Sequence, residues 1–149
     1  MALTRDKSTT FASTRSWKGS KQNYTASFEI DFSATDMSLA QNEIMRVCVI
    51  PAGTAITSFA VKVLTAETEI TDVDFGVTTG TTTSATLADG LTFASTGWLA
   101  GNVDLSATGG GVIQTADSNL LITNKDANTL DSAKIQVVLN IVDFAQAIV

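Results

Sequence analysis

Carboxylates are the residues in this sequence with the most chemical capacity. Asp72 and Asp74 stand two apart in an apolar-alternating run, so both fall on one face of a strand, about 7 Å apart by strand rise. Such a pair could serve a glycosidase or supply half of a Ca²⁺ site. The plainer reading is a solvated strand face, because a glycosidase pair must flank a cleft and nothing in the sequence marks one. Asn124-Lys125-Asp126-Ala127-Asn128 begins like a calcium loop. It then fails, with Thr129 at the position of the turn glycine and Ile135 at the position of the bidentate glutamate. Trp98 could stack on a sugar, but a tryptophan in such a stretch more often plugs a core or anchors an interface.

Other chemistry is excluded by composition. With 0 His there is no Ser-His or Cys-His nucleophile and no imidazole metal ligand. The single cysteine, Cys48, excludes an intramolecular disulfide and a thiolate zinc site, and it sits in an apolar strand pattern as a buried thiol. No phosphate-cradling Gly-rich loop followed by Lys-Ser/Thr occurs. We therefore assign no catalytic residue, no cofactor and no metal, and expect a binding protein rather than an enzyme.

The elements that must carry any site are strands. Residues 24–32 alternate, with Tyr24, Ala26, Phe28, Ile30 and Phe32 against Thr25, Ser27, Glu29 and Asp31, the pattern of a half-buried strand. Residues 34–42 read as a loop or short helical turn. Residues 44–50 are nearly all apolar, as in a central strand, and Pro51-Ala52-Gly53 stops them, with Pro51 expected at the first central turn position. Residues 56–64 resume with Phe59, Val61 and Val63 on one face. Residues 70–77 follow, with Val73, Phe75 and Val77 inward and Asp72 and Asp74 outward. Residues 85–110 read as a long ordered loop with short strand pieces. Residues 111–115 and 119–123 are two short strands turning at Asp117-Ser118, residues 124–130 are a loop, and residues 133–142 are the last strand. The apolar end, Phe144, Ala147, Ile148 and Val149, is expected to pack on this chain or a neighbour.

Short strands at turn-separated spacing, with no long amphipathic helix, predict an all-β fold: a single β-sandwich or jelly-roll-like domain over residues 24–149. A length of 149 residues suits one domain, large enough to hide roughly 68–70% of its unfolded surface without staples. Charged residues are only 16% and mean hydropathy is +0.22, so Ser and Thr supply the polar surface. No apolar run is long enough for a transmembrane helix and no signal-peptide pattern opens the chain, so no membrane association and synthesis in the cytoplasm are expected.

The net charge of −6 argues against nucleic acid as a partner. Its distribution is uneven. Arg5, Lys7, Arg15, Lys18 and Lys21 are more than half of the 9 basic residues, and Asp6 is the lone acid among them. Residues 1–23 read as a flexible basic N-terminal arm. Phe11 and Trp17 among these cations give it the aromatic-plus-basic composition of an interface anchor. A solvated tail is the bland alternative. Arg5, Lys7, Phe11, Arg15, Trp17, Lys18 and Lys21, with Trp98 and Leu99 in the later apolar stretch, are the candidate partner-binding residues.

The order of Ile50-Pro51-Ala52-Gly53-Thr54, Val61-Lys62-Val63-Leu64-Thr65-Ala66, Asp72-Val73-Asp74-Phe75-Gly76, Gly101-Asn102-Val103-Asp104-Leu105 and Lys134-Ile135-Gln136-Val137-Val138 resembles the capsid decoration, or cement, proteins of tailed bacteriophages. The resemblance covers residues 24–142 and rests on strand and turn patterns. It implies a virion protein on the outer capsid surface, a homotrimer whose partner is the major capsid protein, bridging capsid subunits without catalysis. The competing readings are a tail- or fibre-associated receptor- or carbohydrate-binding module and, more remotely, an unusual hydrolase.

Overall fold

Period-two alternation needs two sheets to bury its apolar faces against each other, and the chain supplies them. The computed structural model describes residues 5–6, 23–100 and 114–143. One sheet has the order β1 (Arg5–Asp6), β3 (Ile44–Ile50), β8 (Ser118–Asn124), β5 (Val73–Thr78), β6 (Ala88–Leu91). The other has the order β2 (Asn23–Asp31), β9 (Lys134–Asp143), β4 (Thr54–Thr65), β7 (Gly97–Ala100). Among the described residues only β1 and β3 pair in parallel; the other pairs are antiparallel. The fold is an all-β sandwich, and no helix occurs among the described residues.

The core lies between the sheets. Phe28 and Ile30 of β2, Ile135, Val137 and Leu139 of β9, and Phe59, Val61 and Val63 of β4 face Val47 of β3, Leu120 and Ile122 of β8, and Val73 and Phe75 of β5. Ring centroids run Phe59–Phe75 at 5.2 Å, Phe75–Phe93 at 6.4 Å and Phe93–Phe32 at 6.4 Å, tying both sheets to the connecting segments. Two breaks in the alternation are absorbed by bulges. Ile56 and Phe59 both point inward because the register of β4 against β9 shifts between Ile56 and Ser58. Val47 and Cys48 are both buried because β3 shifts against β8 between Arg46 and Cys48. An extra residue on one strand keeps the apolar set on the core side.

Several sequence expectations change here. The strand buried on both faces is β8, the middle of its sheet. β3 is interior because the two residues of β1 pair onto it at Met45 and Arg46. Thr54 N donates to Pro51 O at 3.3 Å and Gly53 has φ 83°, so Pro51 opens a type II turn whose central residues are Ala52 and Gly53. Gln114 does not begin a hairpin towards β8. It exchanges backbone hydrogen bonds with Gly53 and Thr54; residues 111–113 of the expected strand lie outside the described residues, as do residues 101–110 and 144–149. Asp74 does not point to solvent. It is 5% exposed, because β6 packs along β5 on that side.

Candidate functional site

Trp98 and Leu99 occupy β7, an edge strand paired with β4 through Lys62↔Trp98 and Val61↔Leu99. Alternation sends them to opposite faces. Leu99 packs against the core, while Trp98 is 59% exposed with Lys62 Nζ 5.5 Å from its ring centroid. One contact surface therefore gets Trp98 without Leu99. The same pleat continues across the sheet through Lys62, Gln136 and Glu29. Beyond it the outer face carries hydroxyls and amides around Val138 and Ala60. Thr25 Oγ1 donates to Asn140 Oδ1 at 2.7 Å, Asn140 Nδ2 to Ser58 Oγ at 2.6 Å, and Gln136 Nε2 to Ser27 Oγ at 3.0 Å. Lys134 pairs with Glu29 at 2.9 Å, and that hydrogen bond raises the lysine pKa. This is a polar, near-neutral platform with one aromatic at its margin.

On the opposite sheet, Arg5 and Asp6 are held against β3. Arg46 forms a bidentate ion pair with Asp6 through Nε and a terminal nitrogen, and its other terminal nitrogen donates to Asn119 Oδ1 at 3.2 Å. Asn119 Nδ2 in turn donates to Gly80 O at 2.8 Å. In the described part of the segment, the side chain that pairs with the body is that of its acid, Asp6. Lys7, Phe11, Arg15, Trp17, Lys18 and Lys21 lie outside the described residues.

The loop at residues 124–128 satisfies itself. Asp126 Oδ2 accepts from Thr71 N and Oγ1 at 2.9 and 3.0 Å, and Oδ1 accepts from Asn128 N at 3.0 Å. The buried Asn124 side chain donates to Leu39 O and Asn128 O. The Asp126 oxygens are spent on Asn128 and Thr71, so the loop braces β8 against residues 39 and 71.

Asp72 and Asp74 are joined by a third carboxylate. One oxygen each of Asp72, Asp74 and Asp89 lies within 4.8 Å of the others. A bulge creates the meeting: Val73 pairs with Leu91 and Phe75 with Ala88, so Asp89 and Gly90 together oppose Asp74. Gly90 adopts φ +68°, and its N–H donates to Asp74 Oδ1 at 3.0 Å. Burial pushes the Asp74 carboxyl above the usual carboxylate range. The Gly90 bond works against this, and Asp89 and Asp72 add to the rise. The spacing is shorter than the roughly 5–9.5 Å of glycosidase pairs, so the cluster does not match that chemistry. Asp89 was not singled out by spacing; its local sign is the Asp-Gly doublet, a turn and bulge signal.

No family model matches the sequence, and no curated protein matches it either. Solved structures do match. A chain from the capsid of Ralstonia phage GP4 superposes with TM-score 0.62 at 14% identity, covering 95% of this chain and 98% of that one. The fold is shared with phage capsid chains. A chain from the acid-stable capsid of Helicobacter pylori bacteriophage KHP30 gives TM-score 0.52 at 14% identity, covering 82% of this chain and 88% of that one. A chain of the cyanophage Pam1 capsid asymmetric unit gives 0.55 at 12% identity, covering 88% and 94%.

Proposed function

We propose that this chain is a non-catalytic structural protein of a tailed-phage virion. It decorates the outer capsid surface and bridges major capsid subunits, self-associating as a homotrimer. The observation that carries the reading is the near end-to-end fold likeness to a chain of the Ralstonia phage GP4 capsid, 95% of one chain against 98% of the other. The chemistry agrees: 0 His and one buried thiol leave little to catalyse with. The hydroxyl-and-amide platform with Trp98 at its margin suits a surface met many times over on a particle, where repeated modest contacts add by multivalency.

The contact set in this reading is Trp98 with the platform beside it and the basic segment carrying Lys7, Phe11, Arg15, Trp17, Lys18 and Lys21. The test is co-sedimentation of the purified chain with heads assembled from the major capsid protein encoded in the same genome. Saturable binding at a fixed ratio to capsid subunits supports it. No binding to heads, with binding to glycans or to tail components instead, replaces it by the receptor-binding reading.

A further inference from the structure

We propose that Asp72, Asp74 and Asp89, with the Thr123 hydroxyl beside them, form a site for one divalent cation, Ca²⁺ by preference. The first observation is the convergence of three carboxylates within 4.8 Å. The second is independent of it. Thr123 Oγ1 is wholly buried and has no hydrogen-bond partner, a condition that costs free energy unless something occupies the oxygen. Thr123 is the direct cross-strand partner of Asp74, so the two side chains rise from the same face of the sheet as neighbours.

The surrounding charges strengthen the case. The ion pairs among the described residues are Arg46–Asp6 and Lys134–Glu29, and neither reaches the cluster. Lys125, next in sequence to Asn124, gives its ammonium to Asn42 Oδ1 instead. Three carboxylates, one of them 5% exposed, therefore face each other without a described cation. A hard, all-oxygen donor set selects Ca²⁺ or Mg²⁺ over transition metals. The flexible coordination that Ca²⁺ accepts suits oxygens drawn from separate strands and a connecting segment better than the strict octahedron that Mg²⁺ demands. The exposed Asp72 and Asp89 leave the solvent side open for water ligands. The ion would pin β6 to β5 and β8.

The test is isothermal titration of the full chain, stripped with chelator, against CaCl₂ and against MgCl₂, with thermal unfolding in parallel. One Ca²⁺ per chain is expected, with Kd on the order of 10⁻⁴–10⁻³ M as in exposed extracellular sites, weaker Mg²⁺ binding, and a Ca²⁺-dependent rise in Tm. Asp72→Asn and Asp89→Asn, both at exposed positions, should each weaken binding about tenfold or more, and Thr123→Val should weaken it severalfold. In chelator, Asp74→Asn should be no less stable than the parent, since it removes an uncompensated charge, while losing the Ca²⁺-dependent rise. Absence of saturable binding, or affinity unchanged in the Asp72→Asn/Asp89→Asn double variant, overturns the proposal.

Discussion

Arg46 grips Asp6 with both ends of its guanidinium fork, Nε on one carboxylate oxygen and a terminal nitrogen on the other. The hydrogen bond to Asp6 raises the arginine pKa. Bidentate geometry holds direction as well as charge, and here it holds β1 in register on β3. The pair is partly exposed, so Asp6→Ala should cost only about 0–1 kcal/mol of global stability. Its larger effect should be local: faster hydrogen exchange at the β1–β3 pairing, with exchange in β8 unchanged. Equal protection in parent and variant would show that the backbone bridge needs no ion pair.

Glu67 closes the end of the sandwich where β4 stops and β9 begins. Its Oε2 accepts from Ser132 N and Ala133 N at 3.0 and 2.9 Å, and both its oxygens lie within 3.3 Å of Asp131 N. One side chain thus satisfies the backbone leading into β9. Glu67→Ala should cost about 2 kcal/mol by leaving these donors unpaired, read as a shift in the urea midpoint. Glu67→Gln should cost less, because one oxygen remains to accept.

Phe75 is fully buried between Phe59 and Phe93. Phe75→Ala should cost about 3–5 kcal/mol through lost burial and the cavity left behind, and Phe75→Leu markedly less. Equal Tm values for the two variants would contradict the packing described.

Hydrogen bonds from Asn128 N and Thr71 N hold the Asp126 carboxyl down from the ordinary 3.8 to about 2. A depressed carboxylate stabilises the fold above its unfolded value, and that contribution is lost as pH falls through the folded value. Asp126→Asn should therefore be less stable than the parent at neutral pH, with the difference closing between about pH 4 and pH 2. A gap that persists at pH 2 would assign the effect to shape rather than charge.

Trp98→Ala should leave the isolated domain folded, since the ring is exposed and its contact with Lys62 is worth about 0.5–1 kcal/mol. In the proposed capsid-decorating role, binding to heads should fall by about 2 kcal/mol or more if the ring is a central anchor. Replacing Lys7, Arg15, Lys18 and Lys21 together by Gln should remove the salt-sensitive part of binding and leave the Trp98-dependent part.

What the sequence by itself determined is the fold class, the approximate span of most main strands and the inward face of β2, β4 and β9. Ala26, Phe28 and Ile30, or Ile135, Val137 and Leu139, declare an inward face locally, because one side chain in two must leave water whatever the partner strand is. The presence of a turn at Pro51-Ala52-Gly53 was equally local, although Pro51 opens it and Ala52 takes its first central position. What only the tertiary structure decided depends on which distant strands become neighbours. Asp74 looks like a surface residue until β6 bulges over it and brings Asp89 alongside. Thr123 looks like an ordinary strand threonine until β8 takes the middle of its sheet and buries both faces. Trp98 and Leu99 read as one apolar patch until pairing with β4 turns one out and the other in. Register between strands far apart in sequence is set by the whole core closing at once. A site assembled across strands is therefore legible only after the sheets have formed.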